Sequence, residues 1–135
     1  MKKQVVILML LLVQGGAFFS QTIAGLDTCG AHSATSNIYS RKIAGDSLTS
    51  SFCILIKKEV APHKHILHSE HVIVLDGEGD MKLNGKTFII KKGDIIFIPV
   101  GNVHSVKTRG KKPLKVISIQ SPQFDGSDRI AAPGQ

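Results

Sequence analysis

From Ser51 onward, turn signals interrupt this chain at a spacing of roughly 8 to 12 residues, and short apolar, β-branched runs lie between them. His71 to Leu75, Ile95 to Ile98, Val103 to Thr108 and Leu114 to Gln120 are such runs; Ser51 to Val60 is a longer one carrying Phe52, Cys53, Ile54, Leu55 and Ile56. Asp80 to Leu83 and Lys86 to Ile90 flank Asn84-Gly85, a dipeptide suited to a two-residue hairpin because both residues accept positive φ. Apart from the first 24 residues, no segment shows a helical period. The pattern predicts an all-β sandwich or barrel.

At 135 residues the chain is long enough for one domain with a sizeable core and too short for two. Its beginning stands apart. Lys2 and Lys3 precede an apolar run from Val5 to Val13, then small and polar residues follow through Ala24. That is the pattern of a secretory signal peptide, and the apolar run is too short to persist as a membrane-spanning helix. The expected division is a signal peptide over 1–24, a flexible Gly/Ser/Thr-rich arm over 25–37, a β-barrel over 38–121 and a loosely packed tail over 122–135 carrying Pro122, Gly126, Pro133 and Gly134. Such a chain is expected in the periplasm or outside the cell, with no stable membrane insertion after the leader is removed.

The formal net charge is +7, and losing Lys2 and Lys3 with the leader lowers it to +5. The lysine pairs at 57–58, 91–92 and 111–112 fall at strand edges and turns, where they keep a small β protein soluble and blunt its edges. With no Trp and Tyr39 as the one tyrosine, little is available to stack on bases, so nucleic acid is not an expected partner. Cys29 and Cys53 are the only cysteines. In an oxidising compartment they can pair and tie the arm to the first long strand; the alternative is a buried Cys53 thiol and a free Cys29. No nucleophile elbow, P-loop or dinucleotide fingerprint is present, and Gly77-Glu78-Gly79 is a turn between strands rather than a phosphate cradle.

The remaining chemistry is concentrated in two segments framed by glycine and proline. The first runs from Pro62 through His63, His65, His68 and Glu70 to Gly77; the second runs from Gly93 through Pro99 and Gly101 to His104. Alternate strand side chains share a face, so His63 and His65 point the same way and Lys64 points away. Glu70 starts the next strand with Val72 and Val74 on its face, which turns His71 outward. His104 starts a third strand. Three imidazoles and a carboxylate suit a divalent transition metal such as Mn, Fe, Co, Ni, Cu or Zn, and four ligands leave room for open coordination positions. His68 and Thr108 are candidates for supporting roles: His68 at the cavity mouth or as an exposed loop residue, Thr108 as a hydroxyl aimed inward or as an ordinary strand residue. His32 lies in the arm and carries no signal.

The segments His63-x-His65-x4-Glu70-x6-Gly77 and Gly93-x5-Pro99-x-Gly101-x2-His104 resemble the two motifs of the cupin superfamily, over about residues 50 to 120. The resemblance implies a single jelly-roll barrel, the double-stranded β-helix, with the three histidines and the glutamate on a metal. Lys57 and Thr108 depart from the usual first glycine and last asparagine of those motifs, and neither is a ligand position. The superfamily includes dioxygenases, isomerases, decarboxylases and non-catalytic binding proteins. The expectation is therefore an exported metal-binding protein for a small molecule, an oxidoreductase of the dioxygenase type, with a non-catalytic binder or a metal-dependent isomerase or decarboxylase as alternatives. Cupins commonly pair, so a homodimer is expected, with Ile73 and Leu75 on the outward face.

Overall fold

The computed structural model describes residues 23, 25–27, 29–30 and 34–134. The expected leader, Ile23 apart, and His32 lie outside the described residues. No helix among the described residues is long and apolar enough to cross a membrane.

The described chain is all strand and turn. Its strands are β1 (Ile38–Gly45), β2 (Ser50–Ile56), β3 (Glu59–His65), β4 (Ser69–Asp76), β5 (Glu78–Leu83), β6 (Lys86–Lys91), β7 (Ile95–Ile98), β8 (His104–Thr108), β9 (Leu114–Ser121) and β10 (Arg129–Ala131). They form two antiparallel five-stranded sheets, in the orders β1-β2-β9-β4-β7 and β10-β3-β8-β5-β6. This is the expected all-β jelly roll, two sheets facing one another across a shared core.

Glycines and prolines set the corners. Asn84 and Gly85 have φ of 47° and 77°, the left-handed pair that the β5–β6 hairpin needs. Gly77 joins β4 to β5 at φ 79°, where a Cβ would fall on the carbonyl oxygen of Pro113. The run read as one strand from Ser51 to Val60 breaks at Lys57-Lys58, and the chain crosses from one sheet to the other. There Asn37 Oδ1 accepts both the Lys58 and Glu59 amides, at 3.1 and 3.0 Å, and so fixes the crossing.

Alternation on each strand divides inside from outside. Ile56, Val74, Met81, Ile90, Ile98, Leu114 and Val116 form the buried cluster between the sheets. On the other face of the β2–β9 sheet, Cys29, Cys53 and Ile117 form a second cluster, with Leu26, Tyr39, Ile73 and Leu75 packed against it. Cys29 and Cys53 are joined as a disulfide, Cα–Cα 6.2 Å, which closes the open alternative in favour of pairing. The arm therefore docks at Leu26 and Cys29, and the Ile73 and Leu75 face expected to be outward is half-buried beneath it.

The C-terminal segment also differs from the loosely packed tail expected. β10 pairs with β3 in register, Arg129 opposite His65 and Ala131 opposite His63, and Phe124 N donates to Ser50 Oγ at 3.0 Å. The pairing partner, rather than an apolar pattern of its own, makes this segment a strand.

Candidate metal centre

The two sheets contribute different chemistry to one end of the core. On β3 and β8, His63 and His104 are cross-strand partners, and His65 lies one alternation further along β3. On the opposite sheet Glu70 of β4 is the partner of Gln120 of β9. All five side chains are buried. The strand-parity reading holds in detail, since Lys64 is only partly buried and His71 is exposed, stacked on Phe97 with ring centroids 4.8 Å apart.

The four expected ligand residues converge. Ligand atoms of His63, His65 and His104 lie within 4.8 Å of one another. Glu70 Oε2 is 3.4 Å from His104 Nε2 and 3.9 Å from His65 Nε2. Backbone carbonyls orient two of the rings: Nδ1 of His63 faces Ala61 O at 2.8 Å, and Nδ1 of His104 faces Asn102 O at 3.0 Å. A carbonyl only accepts, so both Nδ1 atoms carry the proton and both Nε2 atoms are turned toward the cluster. His104 Nε2 is buried without a hydrogen-bond partner.

The electrostatics follow from burial and crowding. Burial, then the neighbouring His104, brings His63 down from 6.5 to about 4. Burial and then His68 also lower His65. For Glu70 burial alone would raise the pKa, yet His104 and the Ser118 hydroxyl outweigh it and bring the carboxyl from 4.5 to about 2. An ionised carboxylate beside an uncharged His63 imidazole is the protonation pattern that a divalent cation needs. The donor set, with an orphaned Nε2 among its atoms, fits a transition metal.

Glu70 is anchored from behind. Ser118 Oγ donates to Glu70 Oε1, and Gln120 Nε2 donates to Ser118 Oγ at 3.0 Å. Because Ser118 gives its one proton to the carboxylate, it must accept from the Gln120 amide nitrogen, which leaves Gln120 Oε1 as a buried acceptor without a partner. Neither residue was singled out in the sequence. The available signal was parity: Leu114, Val116, Ser118 and Gln120 share one face of β9, and that face changes from apolar to polar at the level of Glu70.

The two supporting candidates part ways. Thr108 Oγ1 donates to Ile56 O at 2.9 Å, so it pins the end of β8 to β2 and does not line the cavity. His68 is 2% exposed instead of lying free on a loop. Its ring sits 4.1 Å from that of His65, centroid to centroid, and its Nδ1 is 2.9 Å from Asp128 Oδ2. Asp128 and Phe124 pack here from the C-terminal segment, which sequence patterning had set aside.

Beyond the polar end lies a cavity of about 410 Å³. Val60, Val72, Met81, Ile98, Val106 and Val116 are among its walls, and Ser105 and Arg129 are among its few other polar side chains.

Residues 52–120 match the profile of the Cupin_2 family, a cupin domain. The chain belongs to the cupin family. Among curated relatives, a mannose-1-phosphate guanylyltransferase from Klebsiella pneumoniae is 40% identical over 68 residues, 50% of this cupin and 14% of that protein. An uncharacterized protein of Aquifex aeolicus is 36% identical over 81 residues, 60% of this cupin and 66% of that protein. This cupin thus spans about one seventh of the guanylyltransferase and just under two thirds of the Aquifex protein. Among solved structures, a conserved protein with a double-stranded β-helix domain from Klebsiella pneumoniae superposes with a TM-score of 0.72 at 20% identity, over 84% of this chain and 98% of that one. That likeness is one of fold.

Proposed function

We propose that this cupin holds one divalent transition metal, Mn, Fe, Co, Ni, Cu or Zn, on His63, His65, Glu70 and His104, and acts on a small, mostly apolar organic molecule as an oxidoreductase of the dioxygenase type. The observation that carries the reading is the buried, unpartnered His104 Nε2 within 3.4 Å of an ionised Glu70 carboxylate, beside two further inward imidazoles. A buried ring nitrogen without a partner costs about 1–3 kcal/mol, and a metal bond removes that cost. Bound there, the metal would supply a Lewis-acid position for an oxygenated substrate or for dioxygen. The surrounding residues do the rest. The apolar walls exclude water and select a hydrocarbon body, and Gln120 Oε1 offers an acceptor to a ligand hydroxyl or N–H. Lys2, Lys3 and the apolar run after them support export to the periplasm or beyond. With Ile73 and Leu75 half-covered, the exposed Phe88, Ile89, Ile95 and Phe97 of outer strands β6 and β7 offer apolar surface to a second copy.

One observation favours a second reading, a protein that binds its ligand without turnover. Apart from the four ligand residues, the polar side chains lining the cavity are Ser40, Ser105, Gln120 and Arg129, none of which exchanges protons readily near neutral pH. Dioxygen consumption separates the two. Metal-loaded protein is presented with small phenols, diketones and hydroxy acids; the dioxygenase reading expects uptake with at least one class. Silence across the panel, with compounds still displacing a cavity-bound dye, would favour the binder.

A further inference from the structure

His63 and His104 are each oriented by a carbonyl two residues earlier in the chain, but His65 has no such partner. Its Nδ1 is buried without a hydrogen bond and faces Asp128 Oδ1 at 3.5 Å, an acceptor that is equally buried and equally unpartnered. The other oxygen of that carboxylate is occupied: Asp128 Oδ2 accepts the Leu67 amide at 2.8 Å and lies 2.9 Å from His68 Nδ1. The carboxylate is thus fixed by backbone and ring, with one free oxygen aimed at His65. Pairing of β10 on β3, Arg129 opposite His65, brings it there.

We infer that Asp128, delivered by the C-terminal segment, is a positioning residue that holds His65 in the Nδ1–H form and so turns its Nε2 toward Glu70 and the metal. A carboxylate oxygen can only accept, so the facing ring nitrogen must carry the proton. His65 Nε2, left as the acceptor, lies 3.9 Å from Glu70 Oε2. The same arrangement makes residues 122–131 part of the metal centre: their strand pairing carries the group that sets the third imidazole. His68 serves this role indirectly, as a donor that keeps Asp128 in place. The inference rests on the metal reading above for its consequence, but the approach of Asp128 Oδ1 to His65 Nδ1 exists without any metal.

The test uses the full chain and two readouts. Long-range ¹H–¹⁵N correlation spectra of the metal-free protein report the tautomer of His65, and chelator competition reports Co²⁺ affinity. Asp128→Asn preserves volume, and its carbonyl oxygen is claimed by the Leu67 and His68 donors. Its NH₂ then faces His65 Nδ1, and two donors cannot share that contact. The expected result is an Nδ1–H His65 in the unaltered protein and an Nε2–H His65 in Asp128→Asn, with Co²⁺ affinity lower by about 10- to 100-fold. Asp128→Ala is expected to give a mixture of tautomers and a loss of the same order. An Nε2–H His65 in the unaltered protein would overturn the inference, as would a folded Asp128→Asn with unchanged tautomer and Co²⁺ affinity. An unaltered protein that shows Nδ1–H at His65 and takes up no Co²⁺ would support the Asp128 contact while contradicting the metal reading.

Discussion

His63 is the imidazole most altered by its surroundings, and the sign of the alteration dictates a pH response. In the unfolded chain it titrates near 6.5; folded, burial and His104 hold it at about 4. Between those values the unfolded state binds a proton that the folded state does not, so stability is full above 6.5 and falls as the pH drops toward 4. The gap is worth about 3 kcal/mol. Glu70 acts in the same direction lower down, present in full above 4.5 and lost as the pH falls toward 2. The urea midpoint of metal-free protein is therefore expected to hold steady from pH 8 to 7 and to fall between pH 6.5 and 4; a midpoint at pH 4.5 equal to that at pH 7 would contradict this. The four candidate ligand residues were legible because strand parity and motif spacing are local properties. His68 was legible only as one of two alternatives, because its burial depends on Asp128, a residue 60 positions away whose own neighbourhood of Pro, Gly and Ser carries no apolar pattern. Thr108 was misleading for the opposite reason: it has the right parity, but a carbonyl on β2 takes its proton.

Among the elements, the turns carry the sharpest constraints. Gly77 and Gly85 have nearly the same φ, 79° and 77°, but the space around them differs. A Cβ at Gly85 meets nothing within 4 Å, whereas one at Gly77 falls on the Pro113 carbonyl and 3.0 Å from Leu114 Cα, both backbone. Gly85→Ala is expected to cost about 1–2 kcal/mol from the left-handed conformation alone. Gly77→Ala is expected to cost roughly 3 kcal/mol or more, because the start of β9 must shift away from β4. Equal losses in urea unfolding would count against this account of the β4–β5 corner. The strands that sequence patterning located, such as Ile95–Ile98, are those with an apolar face of their own. β1 escaped because Ser40, Arg41 and Lys42 interrupt its pattern while Tyr39 and Ile43 pack on the disulfide cluster. β10 escaped because its three exposed residues become a strand only through β3.

At the scale of the whole molecule the barrel has two ends of unlike chemistry, built by alternation on β4, β8 and β9 and, on β3, by a register shift between Val60 and His63 that brings both inward. Along the inward faces of β3, β4, β8 and β9, the polar residues His65 and His63, Glu70, His104, and Ser118 and Gln120 give way to Val60, Val72 and Val74, Val106, and Leu114 and Val116. Polar and apolar positions line up across both sheets because the cross-strand registers match His63 to His104 and Glu70 to Gln120. The consequence is a polar cluster at one end of an apolar cavity, to whose lining the C-terminal segment contributes Phe124 and Arg129. That arrangement gathers His63, His65, Glu70 and His104, with Ser118 and Gln120 behind Glu70 and with His68 and Asp128 behind His65, into one buried polar cluster rather than scattering them through the apolar core. The central claim is the metal itself, and elemental analysis of the protein purified from its natural compartment, without chelators, tests it most directly. The account predicts close to one first-row transition ion per chain, and its loss from a folded His63→Ala/His104→Ala variant. A well-folded sample holding far less than one ion and taking up none on addition, or a double variant that keeps its full complement, would contradict it.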